Sequence, residues 1–213
     1  MEAAGFDPDR IRANLSAVRQ RMRAACESAD RDPEAVRLLL ATKTQPPGAV
    51  RIAIEAGERL VAENRVQEIR PKFEALEDLE YERHFIGHLQ SNKINALLPF
   101  VSCIQTLDRT SLAAKLQKKL EREGEEIDVL LQVNTSGEDS KFGVAPEAAV
   151  EFAKEVRTYD ALRIRGLMTI GLLGEDPEAA RPSLALLRQI RDQISELDLD
   201  GVRMDELSMG MSA

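Results

Sequence analysis

The sequence predicts an α/β fold of the (β/α)8 TIM-type barrel class, and three observations support this prediction. Short aliphatic segments alternate with amphipathic segments along the chain, which is typical of a parallel sheet with crossover helices. No GxGxxG or GxxxxGK(S/T) loop follows a predicted strand, which disfavours two common open-sheet nucleotide folds. Several predicted strands end in polar residues, as barrel strands do at the end where ligands bind. These residues are Lys43, Asn64, His88, Asp108 and Asn134.

The composition is that of one folded globular domain. The chain has 213 residues, of which 43% are hydrophobic and 31% charged, and this balance argues against disorder. No linker, repeat or low-complexity segment divides it, so we expect a single domain over residues 1–213. The formal net charge of -8 disfavours a general nucleic-acid binder, because such proteins usually present a basic surface.

The sequence shows no sign of export or of membrane insertion. Residues 1–10 contain no apolar segment typical of a secretory signal, and no apolar run approaches the ~20 residues that a membrane-spanning helix needs. The two cysteines, Cys26 and Cys103, have no CxxC spacing, which disfavours a disulfide framework and a thiolate metal site. We therefore expect a cytoplasmic protein in a reducing compartment.

The first predicted helix begins at Asp7-Pro8, with Asp as the N-cap residue and Pro in the first turn. Apolar residues then recur at steps of three and four positions as far as Cys26. Further helices are predicted at 47–57, 66–76, 93–98, 110–123, 146–156 and 177–197. The helix at 66–76 is expected to be broken or bent near Pro71, because proline removes a helical hydrogen bond.

Seven strands are predicted, mostly from compact apolar runs whose length favours buried strands. The first, VRLLLATK, ends in Lys43 and is flanked by prolines. The seven segments are 36–43, 59–64, 82–88, 101–108, 127–134, 162–170 and 206–212. Because a helix follows each of the first six, we expect the strands to be parallel.

Lys43 is the first candidate for chemistry, because it ends a strand after an almost unbroken aliphatic run. Above apolar walls the ammonium form is disfavoured, so the neutral amine becomes accessible as a Schiff-base nucleophile. A solvated lysine in a strand-to-helix loop is the alternative, and position alone favours that alternative.

Two further sets of polar residues allow two interpretations each. His84 and His88 lie four apart in a predicted strand and would share a face, either as a metal or acid–base pair or as packed histidines, and we favour packing. Asn64, Gln67 and Glu68 either orient a ligand or cap the helix that follows them.

The C-terminal segment SMGMS, residues 208–212, is a candidate phosphate site. Glycine and small hydroxyl residues let backbone N–H groups approach a phosphate closely, and barrels commonly bind phosphate after the seventh and eighth strands. A tight strand end packed against the core is an equal alternative. Lys141, in a long polar loop, either contacts a phosphate or is solvated.

Six segments together resemble the pyridoxal phosphate homeostasis protein family: LLLATKTQPP, VAENRVQE, HFIGHLQSNK, LLQVNTSGEDSKFGV, IRGLMTIG and ELSMGMS. They occur in family order from about residue 9 to the last residue. The family's fold is similar to the barrel domain of alanine racemase. The family continues past SMGMS with a helix and an eighth strand carrying an Arg-Ile-Gly-Thr element, so we expect that strand to be absent from this chain, which ends at Ala213.

The resemblance implies a protein that binds pyridoxal 5′-phosphate (PLP) as a Schiff base and stores, buffers or delivers it inside the cell, without enzymatic turnover. Lys43 matches the lysine that forms the internal aldimine, and Ser208 matches a residue that contacts the phosphate. Asn64 matches a position beside the cofactor. The cofactor-binding residues that the resemblance implies are Lys43, Asn64, Ser208, Met209, Gly210 and Ser212. No catalytic residue and no metal ligand is expected.

Other functions of a strand-end lysine remain open. One is a PLP-dependent amino-acid racemase, with Tyr81 or Tyr159 as the only phenolic bases, and another is a Schiff-base aldolase of barrel fold acting on a sugar phosphate. A third is an interaction module that has lost its ligand. For the leading interpretation we expect PLP as ligand, PLP-dependent apoenzymes as candidate partners, no nucleic-acid or membrane partner, and a monomer.

Overall fold

The structure is a computed structural model that describes residues 6–138, 141–171 and 177–210. Within these ranges the strands are β1 Leu40–Ala41, β2 Leu60–Glu63, β3 Glu82–Phe85, β4 Cys103–Leu107, β5 Ile127–Gln132, β6 Leu162–Ile170 and β7 Val202–Gly210. The helices are α1 Pro8–Ser28, α2 Pro47–Glu55, α3 Val66–Ala75, α4 Ile94–Leu97, α5 Thr110–Glu123, α6 Ala149–Val156 and α7 Arg181–Glu196. A helix follows each strand from β1 to β6, which confirms the predicted alternation.

The chain forms two compact units, Met1–His84 and Phe85–Ala213. In the first unit β1 and β2 pair in parallel, with Leu40 opposite Val61 and Ala41 opposite Ala62. In the second unit β4, β5, β6 and β7 pair in that order, and every pair is parallel. The parallel pairing agrees with the prediction made from the intervening helices.

The first unit forms its helices and core as the sequence patterns indicate. Asp7 caps α1, because its side-chain oxygen accepts the N–H of Asp9 at 2.9 Å. The buried core of this unit contains Val50, Ile54, Val61 and Leu76, with Leu79 and Tyr81 packed against it. Aliphatic side chains therefore dominate the core, as expected for a chain with 4% aromatic residues.

The prediction of a strand over 36–43 is wrong in its extent, since β1 spans only Leu40–Ala41. Upstream, Asp32 caps a 3₁₀ turn at Pro33–Ala35 by accepting the N–H of Glu34. Downstream, Thr44 has a φ of 64°, which turns the backbone immediately after Lys43. A strand needs a partner at matching register, and β2 pairs with only these two residues of the apolar run.

The predicted break at Pro71 does not occur, because α3 runs from Val66 to Ala75 with Pro71 inside it. Proline removes one N–H from the helical ladder, yet the residues on either side remain helical. Ile69 of α3 is buried. Because most helical stability comes from an apolar face packed against a core, this burial helps α3 to tolerate the proline.

The second unit packs around the centre of its sheet. Its buried cluster contains Cys103, Leu130 and Met168, with Ile86 and Ile170 packed against it. β7 begins at Val202, four residues before the predicted start, because Val202 pairs with Ile164 of β6. A 3₁₀ turn at Pro177–Ala180 precedes α7, so the α-helix begins later than predicted. Within the described part of the chain, no helix is both long and apolar enough to cross a membrane.

Candidate functional site

The six residues predicted to bind the cofactor divide between the two units. Lys43 and Asn64 belong to the first unit, and Ser208, Met209 and Gly210 belong to the second. Ser212 lies outside the described residues, as do Met211 and Ser140.

Lys43 lies in a tight turn between β1 and α2. The N–H of Gln45 donates to the carbonyl oxygen of Thr42 at 3.0 Å, which closes the turn around Lys43. Lys43 is partly buried, two residues past the end of β1 and four residues before α2 begins. Its location at a strand end agrees with the sequence analysis, and its binding to a cofactor stays a prediction.

Lys43 and Asn64 both lie just past the C-terminal end of the parallel strand pair β1–β2. The N–H of Thr42 donates to the carbonyl oxygen of Ala62 at 2.9 Å, and Thr42 Oγ1 donates to Glu63 Oε1. These contacts lie just past Ala41, the last paired residue of β1. Asn64 directly follows β2, and Lys43 lies two residues past the end of β1.

Asn64 presents a buried acceptor that no described residue uses. Its Oδ1 atom is inaccessible to solvent and has no hydrogen-bond partner within the described part of the chain. Buried polar atoms are almost always hydrogen-bonded, so this acceptor just past the end of β2 is available to a donor from outside the described residues. A bound ligand with a donor group fits that position, and this observation agrees with the cofactor contact that the resemblance implies for Asn64.

A charged group that the sequence analysis did not single out supports the Lys43 turn. Lys72 of α3 contacts Glu63 Oε1 at 2.5 Å and the carbonyl oxygen of Thr42 at 2.6 Å. Glu68 accepts the N–H of Thr44 at 3.1 Å, and this hydrogen bond is the main cause that lowers the pKa of Glu68. The one sequence signal was the i, i+4 spacing of Glu68 and Lys72, which suits an ion pair on a helix.

Gln67 and Glu68 were each predicted either to orient a ligand or to cap the helix that follows, and the structure gives the two residues different surroundings. Glu68 binds the turn at Thr44 and lies 3.6 Å from Arg65, whereas Gln67 is exposed. Helix capping is wrong for this pair, because the N-cap residue of α3 is Arg65 and makes no side-chain capping bond. The local pattern assigns the Glu68 carboxylate to the start of α3, whereas in the structure this carboxylate accepts a hydrogen bond from Thr44 in the turn after β1.

In the second unit Ser208 lies in β7 and is tied to β4. Its Oγ donates to Oε1 of Gln105 at 2.6 Å, and Gln105 is buried. Gln105 was not predicted as a functional residue, although a glutamine inside the apolar run VSCIQTLD is a recognisable signal. Met209 is 38% exposed, and a Cβ built on Gly210 meets no atom of the described residues within 4 Å. Open space beside Gly210 would let a ligand approach the backbone closely.

Lys141 lies close to the same strand ends. Its Nζ donates to the carbonyl oxygen of Gly171 at 2.9 Å, and the N–H of Gly171 donates to the carbonyl oxygen of Gly210 at 2.7 Å. Lys141 also pairs with Glu138 at 2.5 Å, and its side chain is 24% exposed. Lys141 is thus held at the ends of β6 and β7 rather than freely solvated, which leaves phosphate contact as an open interpretation.

The prediction that His84 and His88 share a face of one strand is wrong, because β3 ends at Phe85. His84 is buried, and its Nε2 lies 3.6 Å from Glu82, whose pKa is lowered mainly by a hydrogen bond from Arg37. His88 follows the strand and stacks on Phe142 with ring centroids 3.9 Å apart. Packing, the favoured interpretation, agrees with both environments. Within the described ranges no group of three His, Cys, Asp or Glu residues could hold a metal ion.

Comparison with known proteins identifies the family. A family model described as "Alanine racemase, N-terminal domain" matches residues 6–213. The pyridoxal phosphate homeostasis protein of Aquifex aeolicus is 42% identical over 198 residues, which cover 93% of this chain and 86% of that relative. The chain belongs to the pyridoxal phosphate homeostasis protein family. This confirms the resemblance drawn from the six sequence segments.

Solved structures of similar chains confirm the fold of this family member. An unknown protein from Bifidobacterium adolescentis is 38% identical with a TM-score of 0.92, over 98% of this chain and 89% of that chain. PipY of Synechococcus elongatus, in a structure with PLP bound, is 29% identical with a TM-score of 0.75, over 90% of this chain and 89% of that chain. Together with the family model, these matches confirm the predicted class, the α/β barrel fold of the alanine racemase N-terminal domain.

Proposed function

We propose that this protein binds PLP as a Schiff base on Lys43 and stores, buffers or delivers the cofactor inside the cell. The observation that carries the proposal is the placement of Lys43 in the turn after β1, together with the buried Oδ1 of Asn64 at the end of the paired strand β2, which no described residue hydrogen-bonds. PipY, a similar protein of known structure, holds PLP. Relatives that are 36–42% identical are named as homeostasis proteins and not as enzymes.

Each predicted residue has a chemical task in this proposal. PLP supplies an aldehyde that an amine can bind covalently, and Lys43 supplies the amine. Asn64 accepts a hydrogen bond with its free oxygen. Ser208 and Gly210 contact the phosphate through a hydroxyl and through close approach of the backbone, a contact supported by the open space beside Gly210.

The experiment is borohydride reduction of the purified protein after incubation with PLP, followed by peptide mass spectrometry. We expect a visible Schiff-base absorbance and a PLP adduct on Lys43. Lys43→Ala is expected to lose both while keeping its unfolding midpoint, because this partly buried turn residue belongs to neither core cluster. Lys119→Ala, in an exposed ion pair with Glu123 on α5, is the matched control and is expected to behave as wild type. A wild-type protein that stays colourless, or an adduct on another lysine, would contradict the proposal.

A racemase gains no support from Tyr81, the tyrosine in the unit that contains Lys43. Tyr81 packs against the core cluster of that unit, and burial raises the pKa of its hydroxyl, so the phenolate that a base needs is disfavoured. The assay is racemisation of alanine and serine followed by optical rotation. A clear signal that disappears in Lys43→Ala would establish turnover and replace the binding proposal.

We further propose a cytoplasmic monomer that hands PLP to apoenzymes. Cys26 and Cys103 are both buried and no disulfide joins them, which suits a reducing compartment. Sedimentation of the purified protein tests the monomer. Reactivation of a PLP-dependent apoenzyme by the loaded protein, in the presence of a scavenger for free PLP, tests delivery. A dimer would refute the first proposal, and reactivation no faster than by free PLP would refute the second.

A further inference from the structure

We infer that Lys72 is a positioning residue for Lys43, and that Glu63 and Glu68 hold Lys72 in place. The inference rests on the proposed function, because it explains how the amine that binds PLP is kept in one orientation. All of these residues belong to the first unit. Together Glu63, Glu68 and Lys72 are called the turn-anchoring triad below.

Lys72 directs its ammonium group at the turn and at both carboxylates. Its Nζ lies 2.6 Å from the carbonyl oxygen of Thr42, 2.5 Å from Glu63 Oε1 and 3.4 Å from Glu68 Oε2. An ammonium has three N–H donors, so these three acceptors account for all of its hydrogen bonds. The first acceptor is the backbone of the residue immediately before Lys43.

The residue after Lys43 is held by the same triad. The N–H of Thr44 donates to Glu68 Oε2 at 3.1 Å. Thr44 has a φ of 64°, in the left-handed region that a β-branched residue rarely adopts, so its conformation needs support from elsewhere in the fold. The backbone on both sides of Lys43 is therefore tied to α3, by Lys72 on one side and by Glu68 on the other.

Stability alone is a weak explanation for the triad. The side chains of Lys72, Glu63 and Glu68 are 11%, 8% and 24% exposed, so forming the triad removes charges from water. Well-packed apolar residues of similar volume often stabilise a fold as well as a buried ion pair does. The triad hydrogen-bonds the backbone on both sides of Lys43, and a role in orienting Lys43 explains this arrangement better.

A rigid turn favours covalent binding over loose binding. The amine must approach the aldehyde carbon within a narrow range of geometries, and a group already held in that range loses little freedom when it reacts. A looser turn should therefore reduce the covalent share of the bound PLP. A residue with a merely structural task would change the stability of the protein and leave that share unaltered.

The first test compares Lys72→Met with the double variant Glu63→Gln/Lys72→Met. The single variant leaves the buried Glu63 without its cation and is expected to be less stable. The double variant removes both charges, and Glu68 keeps Arg65 at 3.6 Å, so the double variant is expected to fold. We expect it to bind PLP about tenfold more weakly and, at saturating PLP, to show a smaller adduct on Lys43 after borohydride reduction.

The second test is Thr44→Gly, which relieves the left-handed strain and also frees the turn. We expect its urea unfolding midpoint to stay close to wild type while the covalent share of bound PLP falls. Lys119→Met is the matched control, because it makes the same substitution in the exposed Lys119–Glu123 pair of α5. The control is expected to keep the wild-type affinity and adduct.

The outcomes separate this inference from the proposed function. If wild type forms no adduct on Lys43, the proposed function fails and the inference fails with it. If wild type and the control form the adduct, and the double variant and Thr44→Gly form it with equal affinity and extent, the proposed function stands and the positioning inference is overturned. A reduced covalent share in both folded variants supports the inference.

Discussion

Ser208 has a single hydroxyl hydrogen, and in this structure it is directed to Gln105 Oε1 at 2.6 Å. A phosphate oxygen is an acceptor only, so Ser208 can bind one only by releasing this bond or by exchanging it. If the carboxamide of Gln105 rotates by about 180°, its NH₂ group donates to the Ser208 oxygen, and the Ser208 hydrogen is then available to a phosphate. Gln105 thus controls which way the hydroxyl of Ser208 faces.

Gly210→Ala tests the phosphate contact at the scale of a single residue. A Cβ at this position meets no atom of the described residues within 4 Å, so the free energy of unfolding should be unchanged or raised by up to about 1 kcal/mol. If a phosphate approaches the backbone here, the methyl group will occupy its space and PLP affinity should fall about tenfold, or about 1.4 kcal/mol. Urea unfolding and absorbance titration with PLP measure the two quantities.

The control for this substitution is Arg203→Ala on the same strand, whose side chain is exposed and pairs with Asp205 at 2.8 Å. It should leave PLP affinity unaltered, because loss of an exposed ion pair changes little beyond the surface. Equal PLP affinity in Gly210→Ala and wild type would place the phosphate away from Gly210.

At the scale of elements, β6 and β7 are brought unusually close by one glycine. Their register shifts between Ile164 and Gly166, and a Cβ on Gly166 would overlap the carbonyl oxygen of Glu206. The sequence segment IRGLMTIG shows a glycine within a strand, which is a recognised sign of a bulge or a close approach. The identity of the partner strand and the position of the shift follow only from the paired structure.

Gly166→Ala is expected to lower the free energy of unfolding by about 1–3 kcal/mol, because a methyl group forced into a packed contact shifts the backbone. Gly124→Ala is a suitable comparison, since Gly124 ends α5 with a φ of 67° and a Cβ built on it meets no described residue within 4 Å. That variant carries only the conformational cost, about 1 kcal/mol. Urea unfolding of both variants measures the difference, and equal losses would show that the β6–β7 approach is not tight.

The turn between β1 and α2 also shows that a local sequence pattern does not determine where a strand ends. The aliphatic run predicted a strand that reaches Lys43, yet pairing stops at Ala41 because Thr44 turns the chain and the triad holds it there. Lys43 still lies just past the end of β1, so its predicted place is correct although the predicted length of the strand is wrong. Periodicity reports burial, whereas the extent of a strand depends on its partner.

At the scale of the whole molecule, a ligand that binds only the folded chain stabilises it. At a free PLP concentration of a hundred times Kd, the expected gain is about 2.7 kcal/mol in the free energy of unfolding. Because the proposed Schiff base on Lys43 would contribute to this gain, we expect Lys43→Ala to show a smaller gain at the same PLP concentration. Thermal or urea unfolding with and without PLP measures it, and an equal gain in the variant would show that binding does not depend on Lys43.

The sequence by itself determined the order of strands and helices, the parallel pairing, the capped start of α1 and the place of Lys43 after the first strand. These features follow from neighbouring residues, since periodicity, caps and turns are local properties of the chain. Its family membership also followed from short segments of sequence.

The tertiary structure alone decided which distant groups meet. Thr42 and Lys72 are 30 residues apart in the chain, and Ser208 and Gln105 are 103 apart, yet each pair is hydrogen-bonded. The spacing of His84 and His88 predicted that they share a face of one strand, but they lie in different surroundings because β3 ends at Phe85, between them. Contacts of this kind depend on how elements pack, and packing responds to the shape and charge of surfaces that no local segment contains.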